Sequence, residues 1–360
     1  MSRVDLLIVG GGIAGASLGA AIAGRRQILL IEAEAHAGYH STGRSAAFWH
    51  EGYGGPLVAP LSRASHPLLQ AGGYLSRRGA IHLARAGEAI DLVEGVSARP
   101  LGRSELETLL PGLRAEWTHG ADEPSLADID VARLHGDALA ALRRAGGEIR
   151  TDSRLAGAEQ RSGGGWSVRL EDGSTIEAGC IVNAAGAWAD RVAEACGVAP
   201  LGLSPKRRTM VQLRLGRTGL RHLPLVVGAD GSFYFKGEGN RSLWLSPHDE
   251  IDCDACDAAP EELDVAMAID RFQRVVDWPV EAVERRWAGL RTFTPDRVPA
   301  IGFAQEVQNF FWCVGQGGFG IQTAPAAAQL GAALLLGEGE MPSGVDAGVY
   351  DPARFAGQAI

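Results

Sequence analysis

The sequence has few cysteines and no long run of basic residues. The five cysteines are an odd number spread along 360 residues. They do not suggest the disulfide framework of a small secreted domain, so we expect a reducing compartment and a cytoplasmic, possibly membrane-peripheral, protein. The longest basic stretch is residues 206–208, and the formal net charge is −9. Nucleic acid and anionic membrane surfaces are therefore poor candidate partners. Internal repeats are also absent, and the length suggests about two domains.

Glycine is the residue in excess. The chain has 49 glycines, with 46% apolar and 21% charged residues, a composition that excludes a disordered or fibrous protein. The glycine share is roughly twice the usual ~7%. Many backbone positions are therefore expected to need a positive φ or a close approach to another group.

Residues 4–24 are almost uncharged and long enough to resemble a membrane span or a signal peptide. Asp5 interrupts the segment, and its apolar pattern changes at the glycines of residues 10–12. An apolar run over residues 4–9 is typical of a buried parallel strand, and the small residues from Ile13 onward predict a helix. We therefore predict strand, turn and helix, with no export signal. Residues 323–337 similarly predict a buried helix, so no transmembrane segment is expected.

Cys253 and Cys256 form the one CxxC sequence, within the aspartate-rich residues 251–257. No second cysteine pair accompanies them, so an exposed loop is favoured over a metal or redox role. No metal site is predicted.

The strand, turn and helix at the N-terminus carry a GxGxxG motif. Gly10 permits the tight turn, Gly12 lets a pyrophosphate approach, and Gly15 allows close packing of the helix. Residues 27–31 predict a second strand, which ends at Glu32, 17 residues after Gly15. An acidic residue there hydrogen-bonds the ribose of an adenosine. The unit predicts a dinucleotide site.

Two further glycine turns follow predicted strands, at residues 180–188 and 314–323. After Glu32 the chain continues into a polar, glycine-rich stretch instead of a regular alternation of strands and helices. Three glycine turns so far apart in sequence suit one extended cofactor crossing a sheet, so FAD is favoured over NAD.

Five motifs in order give the chain a family resemblance. They are the fingerprint and residues 41–47 (STGRSAA), 182–190 (VNAAGAWAD), 287–296 (WAGLRTFTPD) and 317–323 (GGFGIQT). Together they resemble the D-amino-acid oxidase superfamily of FAD-dependent amine oxidoreductases, and within it most closely the bacterial D-arginine dehydrogenases. The resemblance runs from about residue 4 to residue 345. It implies an α/β fold in which a Rossmann-like FAD-binding domain is joined to a second, mainly antiparallel-sheet substrate domain.

The resemblance implies that FAD is bound non-covalently, because the flavin-linking cysteine of sarcosine oxidases aligns near Gly289. The implied cofactor contacts are Gly10, Gly12, Ile13, Ala14, Gly15, Glu32, Ala33, Ser41, Thr42, Arg44, Ser45, Ala46, Ala47, Leu155, Ala185, Gly186, Trp188, Gly317, Gly320, Ile321, Gln322 and Thr323.

Four residues match the family's substrate-binding and catalytic positions. Arg291 and Arg208 match the arginines that hold the substrate carboxylate, and a planar guanidinium fork suits that group. Tyr53 and Tyr234 match the tyrosines that line and cover the pocket. A surface salt bridge for the arginines and a core position for the tyrosines are the structural alternatives.

Other pocket positions bear on the choice of substrate. The resemblance places Gly318 and Gln322 against the substrate amine and the flavin. Ala80 stands where the arginine-specific enzymes have a glutamate, and Phe48 where they have a histidine near the flavin. An unpaired cationic side chain would be costly there, so a neutral, preferably apolar, side chain is expected. His50 suits either a pocket contact or a structural histidine.

These inferences predict oxidative deamination of a D-amino acid. The carboxylate is fixed by arginine, hydride passes from Cα to flavin N5, and the imino acid is hydrolysed to a 2-keto acid and ammonia. Oxygen, a quinone or an electron-transfer protein is the expected acceptor. The alternatives are a glycine- or sarcosine-type amine oxidase, an FAD-dependent 2-hydroxy-acid dehydrogenase, and a non-enzymatic FAD-binding subunit.

The expected architecture is discontinuous. The FAD-binding domain is predicted over residues 1–75, 135–205 and 286–345, with a helix over residues 135–145. The substrate domain is predicted over residues 76–134 and 206–285, because residues 210–215 and 243–245 alternate as antiparallel strands do. Residues 346–360 are expected to form a poorly determined tail.

Overall fold

The structure, a computed structural model, describes residues 2–91 and 96–357. Twenty-one strands and eight α-helices lie within these residues. The helices are α1 Ile13–Ile22, α2 Ala59–Ala71, α3 Arg103–Leu109, α4 Val131–Arg144, α5 Ala189–Ala195, α6 Glu262–Val275, α7 Gly320–Leu336 and α8 Ala347–Tyr350. Short 3₁₀ turns occupy Gly186–Trp188, Leu220–His222 and Pro352–Phe355.

The strands fall into three sheets. They are β1 Ser2–Val9, β2 Ile28–Ile31, β3 Phe48–Trp49, β4 Leu75–Arg77, β5 Ala80–Arg85, β6 Arg99–Gly102, β7 Trp117–Glu123, β8 Ala127–Ile129, β9 Glu148–Arg150, β10 Leu155–Gln160, β11 Trp166–Leu170, β12 Thr175–Asn183, β13 Ser204–Leu215, β14 Leu225–Gly228, β15 Tyr234–Gly237, β16 Ser242–Ser246, β17 Ile251–Asp252, β18 Val280–Phe293, β19 Ala300–Phe303, β20 Phe310–Val314 and β21 Gln316–Gly317.

The first sheet is the nucleotide-binding layer. Its strands run in the order β10-β11-β12-β1-β2-β9, with β20 beside β12 and β19 beside β20. The pairs β12–β1, β1–β2, β2–β9 and β12–β20 are parallel. Leu7 and Val9 of β1 belong to the core on one face of the sheet, and Leu6 and Ile8 to the core on the other. Burial on both faces explains the continuous apolar run at residues 4–9.

The second sheet is larger and almost wholly antiparallel. Its order is β21-β18-β13-β16-β15-β14-β5-β7-β6, with β17 beside β13, and only β14 and β5 are parallel. One face packs against α6 in a core that includes Phe235, Phe272 and Trp278. The opposite face carries Arg208, Tyr234 and Arg291. The mixed α/β architecture with a second, mainly antiparallel sheet agrees with the expected fold class.

Two predicted boundaries are moved by the structure. The boundary at residues 285 and 286 falls inside β18, which pairs with β13 from Leu215 opposite Val280 to Ser204 opposite Phe293. That strand is therefore one unit of the second sheet. The helix expected from residue 135 begins at residue 131, because the Asp130 side chain accepts a hydrogen bond from the Arg133 N–H at 3.0 Å.

The prediction of a C-terminal tail is wrong for residues 347–355. Tyr350 is 1% exposed and donates its hydroxyl to the carbonyl of Leu57 at 2.7 Å. Phe355 is also buried, within the core on one face of the first sheet. These two aromatic residues anchor the segment on the rest of the protein. Residues 358–360 lie outside the described residues.

Candidate active site

The first glycine turn is closely packed at two of its three motif positions. Gly10 has φ +109°, and a Cβ added there would lie 2.4 Å from the carbonyl oxygen of Ala184. A Cβ added at Gly15 would lie 2.0 Å from the carbonyl oxygen of Gly10. The turn and the start of α1 therefore pack in a way that leaves no space for a side chain.

The N-terminus of α1 and the end of β2 meet beside this turn. Gly12 is the N-cap of α1 and offers no capping side chain, while the Thr42 hydroxyl accepts the Ile13 N–H at 3.0 Å. Glu32 accepts the N–H groups of Gly11 at 2.9 Å and Glu34 at 3.0 Å. A helix N-terminus beside a fixed carboxylate suits a pyrophosphate followed by a ribose.

A cavity of about 490 Å³ extends from this turn to the face of the second sheet. Most of the predicted cofactor residues line it. They are Gly10, Gly12, Ile13, Ala14, Glu32, Ala33, Ser41, Thr42, Arg44, Ser45, Ala46, Leu155, Ala185, Gly186, Trp188, Gly317, Gly320 and Ile321. The substrate-side residues Arg208, Tyr234, Arg291 and Gly318 line the same cavity. All three glycine turns therefore contribute to one continuous site.

Four residues predicted to contact the cofactor are not among those lining the cavity. Gly15 packs α1 on the turn, as described above. The Ala47 carbonyl accepts the N–H of Ile129, so this residue joins the start of β3 to β8. Thr323 is fully buried and donates its hydroxyl to the carbonyl of Phe319 within α7.

Gln322 is the fourth of these residues. Both the oxygen and the nitrogen of its amide have hydrogen-bond partners within the protein. Its oxygen accepts the N–H of His50 at 3.1 Å, and its nitrogen donates to the carbonyls of His50 and Tyr53 and to the hydroxyl of Ser62. The expected contact of Gln322 with flavin and substrate amine is corrected: it fixes residues 50–53 on α7.

Residues 41–44 connect the wall of the cofactor cavity to the second sheet. Ser41 donates its hydroxyl to the carbonyl of Leu290 at 2.7 Å. Arg44 donates to the carbonyls of Ala258 and Ala288 and forms an ion pair with Asp257. The STGRSAA motif thus joins two layers as well as lining the cavity.

The CxxC loop, residues 253–256, lies in the same region. Cys253 and Cys256 are half-buried, pack in a cluster with Trp188 and Leu290, and have their sulfur atoms 3.5 Å apart. The loop is therefore packed against the cavity wall and is less exposed than the sequence suggests.

Arg208 and Arg291 lie on one face of neighbouring strands. In the pairing of β13 with β18, Lys206 faces Arg291 and Arg208 faces Gly289, so the two arginines alternate in register on the same side. Arg208 is 4% exposed, and its Nη1 has no hydrogen-bond partner among the described residues. Its other nitrogens bind the Asp249 carbonyl and, at 3.2 Å, Glu250.

Arg291 is held by a tyrosine instead of a carboxylate. Its Nη1 donates to the Tyr53 hydroxyl at 2.7 Å. Within the described part of the chain, no acidic side chain forms an ion pair with Arg291. A Cβ added to Gly318 would lie 2.5 Å from the Tyr53 hydroxyl and 2.9 Å from Arg291 Nη1. The third glycine turn therefore brings its backbone against this pair.

His248 reports a positive potential at this position. Burial, together with the charges of Arg208 and Arg291, lowers the pKa of His248 to about 3. Its ring packs edge-on to Tyr234, with ring centroids 5.6 Å apart. The imidazole is therefore neutral at physiological pH and adds no positive charge beside the arginines. Nothing in the spacing of the sequence identified this residue.

An aromatic wall adjoins the arginines. The Phe48 ring centroid lies 5.7 Å from that of Tyr53 and 6.0 Å from that of Tyr234, whose hydroxyl contacts the sulfur of Met210 at 3.0 Å. Ala80 is fully buried in the apolar cluster that contains Tyr234. Phe48, Tyr53, His50 and Ala80 are not among the cavity-lining residues, so these four form or support the wall from behind.

Several cavity residues were missed by sequence analysis. They are polar or charged side chains from separate elements together with one methionine: Glu34, His40, Arg154, Gln316 and Met210. Met210 could have been found, because it alternates with Arg208 along β13 and therefore shares its face. His40 packs against Trp188 at a centroid distance of 4.5 Å, a contact between distant segments that no local pattern predicts.

The family of the chain follows from its match to known proteins. The family described as DAO, FAD dependent oxidoreductase, matches residues 5–334. The chain belongs to this family. Its cofactor is therefore FAD, and the protein is an enzyme of the FAD-dependent oxidoreductase type.

The related sequences belong to proteins that are longer than this chain. Mitochondrial dimethylglycine dehydrogenase of Rattus norvegicus is 25% identical over 98% of this chain and 45% of its own length. FAD-dependent oxidoreductase domain-containing protein 1 of Xenopus laevis is 27% identical over 47% of this chain and 37% of its own length. The chain thus spans less than half the length of these two relatives.

Solved structures share the fold. L-proline dehydrogenase from P. horikoshii has a TM-score of 0.83 at 20% identity, covering 98% of both chains. Glycine oxidase from Geobacillus kaustophilus has a TM-score of 0.83 at 22% identity, covering 98% of this chain and 99% of its own.

The residues present fit FAD. The packed glycine turn, the α1 N-terminus without a capping side chain and the carboxylate of Glu32 suit the pyrophosphate and the adenosine ribose. The cavity continues to Gly317, Gly320 and the arginine face. None of the described helices is long and apolar enough to span a bilayer.

Proposed function

We propose that the protein oxidatively deaminates an amino acid, with a D-amino acid of neutral, apolar side chain as the preferred substrate. The products are an imino acid and, after hydrolysis, a 2-keto acid and ammonia. FAD, when bound, would supply the two-electron chemistry by accepting the hydride from Cα.

The pair of arginines carries this proposal. Arg291 has a tyrosine hydroxyl but no ion-pair partner among the described residues, and Arg208 has a buried Nη1 without a partner. A substrate carboxylate would satisfy both, because guanidinium and carboxylate form charge-assisted, often bidentate hydrogen bonds. After burial, the charges of these two arginines contribute to the low pKa of His248, so both cations act on the groups buried beside them.

A carboxylate held at the arginines would also orient the rest of the substrate. Tyr53 fixes Arg291, and the backbone of Gly318 lies against both groups. These contacts all lie on the carboxylate side of the substrate. They would leave its Cα–H bond directed toward the glycine turns. Positioning of this kind supplies much of the rate when no side-chain base is used. The loss of the amine proton before hydride transfer is assigned to solvent.

The choice of side chain rests on the wall beside Tyr234. Ala80, Leu225, Met210 and Tyr234 are all at most 3% exposed and form one cluster, and Phe48 packs against it. Glu123 is the cross-strand partner of Ala80, but two histidines and Ser125 already occupy its carboxylate. A guanidinium buried against this wall would be unpaired, which argues against D-arginine despite the resemblance to its dehydrogenases.

Glycine or one of its N-methyl derivatives is the second candidate substrate. The relative from Rattus norvegicus that matches 98% of this chain is named dimethylglycine dehydrogenase, and such a substrate presents the same carboxylate to the arginines. A 2-hydroxy acid would satisfy the clamp equally. The FAD is proposed to be non-covalent, because the flavin-linking cysteine of sarcosine oxidases aligns near Gly289, which lines the cavity.

An anaerobic flavin-reduction screen tests the proposal. Purified holoenzyme is mixed without oxygen with D- and L-amino acids, N-methyl amino acids and 2-hydroxy acids, and loss of the oxidised flavin absorbance is timed. We expect the fastest reduction by a D-amino acid with an apolar side chain. Fastest reduction by N-methylglycine or N,N-dimethylglycine would establish the second candidate, and D-arginine as best substrate would contradict the wall argument.

A further inference from the structure

A cluster of one buried carboxylate and two histidines lies outside the amine-oxidation site. Glu123 on β7 is fully buried, and its Oε2 lies 2.9 Å from His50 Nε2 and 2.8 Å from His82 Nε2. The side chains of His50 and His82 are 15% and 12% exposed. The three potential ligand atoms lie within 4.8 Å of one another.

The cluster lies on the face of the second sheet that carries Tyr234. Val227 of β14 is paired with both His82 of β5 and Tyr234 of β15, and directly paired residues point to the same side. Two strand spacings separate His82 from Tyr234, roughly 10 Å. The cluster is therefore a neighbour of the substrate wall without belonging to the arginine site.

Each ligand atom is fixed by a different part of the chain. Glu123 Oε1 accepts the Ser125 hydroxyl at 2.7 Å, which leaves Oε2 to the histidines. His82 sits in a strand paired on both sides. The backbone N–H and carbonyl of His50 are both bound by the Gln322 amide. Convergence of three fixed side chains from separate segments is the arrangement that metal sites require.

The donor set has the chemistry of a transition-metal site. Two imidazole nitrogens and one carboxylate oxygen suit Zn²⁺ and neighbouring divalent ions, and three protein ligands leave a position for water.

We propose that His50, His82 and Glu123 form a binding site for one divalent transition-metal ion of the zinc class. Both histidines would present the lone pair of Nε2, with their ring proton on Nδ1. The N···O separations would open by roughly 0.5 Å, to the ~3.3 Å expected between ligands of a tetrahedral Zn²⁺ ion. The ion would bind the segment that carries Phe48 and Tyr53 to the second sheet.

Metal titration of the full-length holoenzyme tests this proposal. The protein, produced without a histidine tag, is stripped with a chelator and titrated with Zn²⁺ by calorimetry and with Co²⁺ by visible absorption. We expect one ion per chain and the ligand-field bands of Co²⁺ bound by nitrogen and oxygen, without a sulfur charge-transfer band. Neither readout depends on enzyme activity.

Matched variants locate the ion. His82→Gln and Glu123→Gln should each abolish stoichiometric binding. His119→Gln changes a histidine of β7 that lies outside the cluster and should leave binding intact. The double change Cys253→Ser with Cys256→Ser should leave it intact as well. Circular dichroism and bound flavin verify that each variant is folded, and His82→Gln retains a hydrogen-bond donor toward Glu123 in case Glu123→Gln does not fold.

Two results would overturn the proposal. One is the failure of the wild-type chain to bind Zn²⁺, Co²⁺, Ni²⁺ or Mn²⁺ stoichiometrically, in which case the three side chains are a hydrogen-bonded cluster only. The other is binding that survives in folded His82→Gln protein, or that disappears with the two cysteines.

Discussion

The two sides of the cavity are built by different means. The nucleotide side is formed mainly by glycine and backbone groups. Gly10 and Gly15 have no room for a Cβ, and α1 presents an N-terminus whose N-cap residue has no side chain. On the proposed substrate side, charged and aromatic side chains project from strands of the second sheet, with Arg208 and Arg291 on neighbouring strands. Binding of the cofactor depends on the shape of the backbone, whereas substrate choice depends on side chains that a fold can exchange.

The largest effect is expected from filling the nucleotide-side turn. Gly10→Ala places a methyl group 2.4 Å from the Ala184 carbonyl oxygen at a φ of +109°, so the turn must move. We expect loss of several kcal/mol of stability and purification without FAD. Flavin absorbance and thermal unfolding measure this.

Gly136→Ala is the matched control for the turn. Gly136 lies in α4 with nothing within 4 Å of an added Cβ. Alanine there should raise stability by about 0.5–1 kcal/mol and leave FAD bound. A Gly10→Ala protein that retains FAD with normal stability would contradict the backbone account of this side.

The next largest effect is expected from Arg291→Ala. Removing one guanidinium of the clamp should lower kcat/KM by about 10²–10³-fold, corresponding to about 3–4 kcal/mol, while FAD stays bound. Stopped-flow flavin reduction measures the rate, and the flavin spectrum measures occupancy. Arg286→Ala changes an exposed arginine of the same strand and should be neutral. Equal rates in the two variants would remove Arg291 from the site.

Gln322→Ala tests whether the Gln322 side chain stabilises residues 50–53 or contacts the cofactor. The buried His50 N–H and the Ser62 hydroxyl lose their partner, so we expect a loss of about 3 kcal/mol in unfolding free energy. FAD affinity should stay within about twofold of wild type, well under 1.4 kcal/mol. Gln329→Ala, on the same helix, should change neither quantity. A selective loss of FAD affinity would restore the contact that the sequence suggested.

A smaller effect concerns pH. His248 has its pKa lowered to about 3 by burial and by Arg208 and Arg291, against an ordinary value of 6.5. Between these values the unfolded chain binds the extra proton, so acidification destabilises the folded protein. From pH 7 to pH 5 this amounts to about 2 kcal/mol.

His248→Asn should remove that acid-side loss, because asparagine does not titrate there and tolerates the φ of +54° at this position. Urea unfolding at fixed FAD concentration, at pH 7 and pH 5, compares the two proteins. The same pH dependence in both would show that His248 is not held neutral in the folded protein.

The contrast between the two sides also explains what could be predicted from sequence. The strand, turn and helix at residues 2–22 follow from local pattern, since a parallel strand buried on both faces has a continuous apolar run. The three glycine turns could also be predicted, because each follows a strand with such a run. The arginines were identified only through the family resemblance, because no spacing relates residues 208 and 291.

Contacts between distant segments could not be predicted. Gln322 lies in a motif for cofactor binding, yet its amide is used by His50, Tyr53 and Ser62. His248 and Glu123 become informative only when strands bring them to Tyr234 and Ala80. The segment after residue 346 is predicted to be a tail, but Tyr350 and Phe355 anchor it. In each case the deciding partner is far away in sequence.

One titration tests most directly the claim that the arginine face binds a carboxylate beside the flavin. Oxidised holoenzyme is titrated with butyrate and, separately, with butylamine, which differ in the group that the arginines would recognise, and the flavin absorbance is followed. We predict that butyrate perturbs the flavin spectrum saturably, that butylamine does not, and that Arg291→Ala abolishes the butyrate response. A butyrate response that is absent in wild type, or unchanged in Arg291→Ala, would contradict the account.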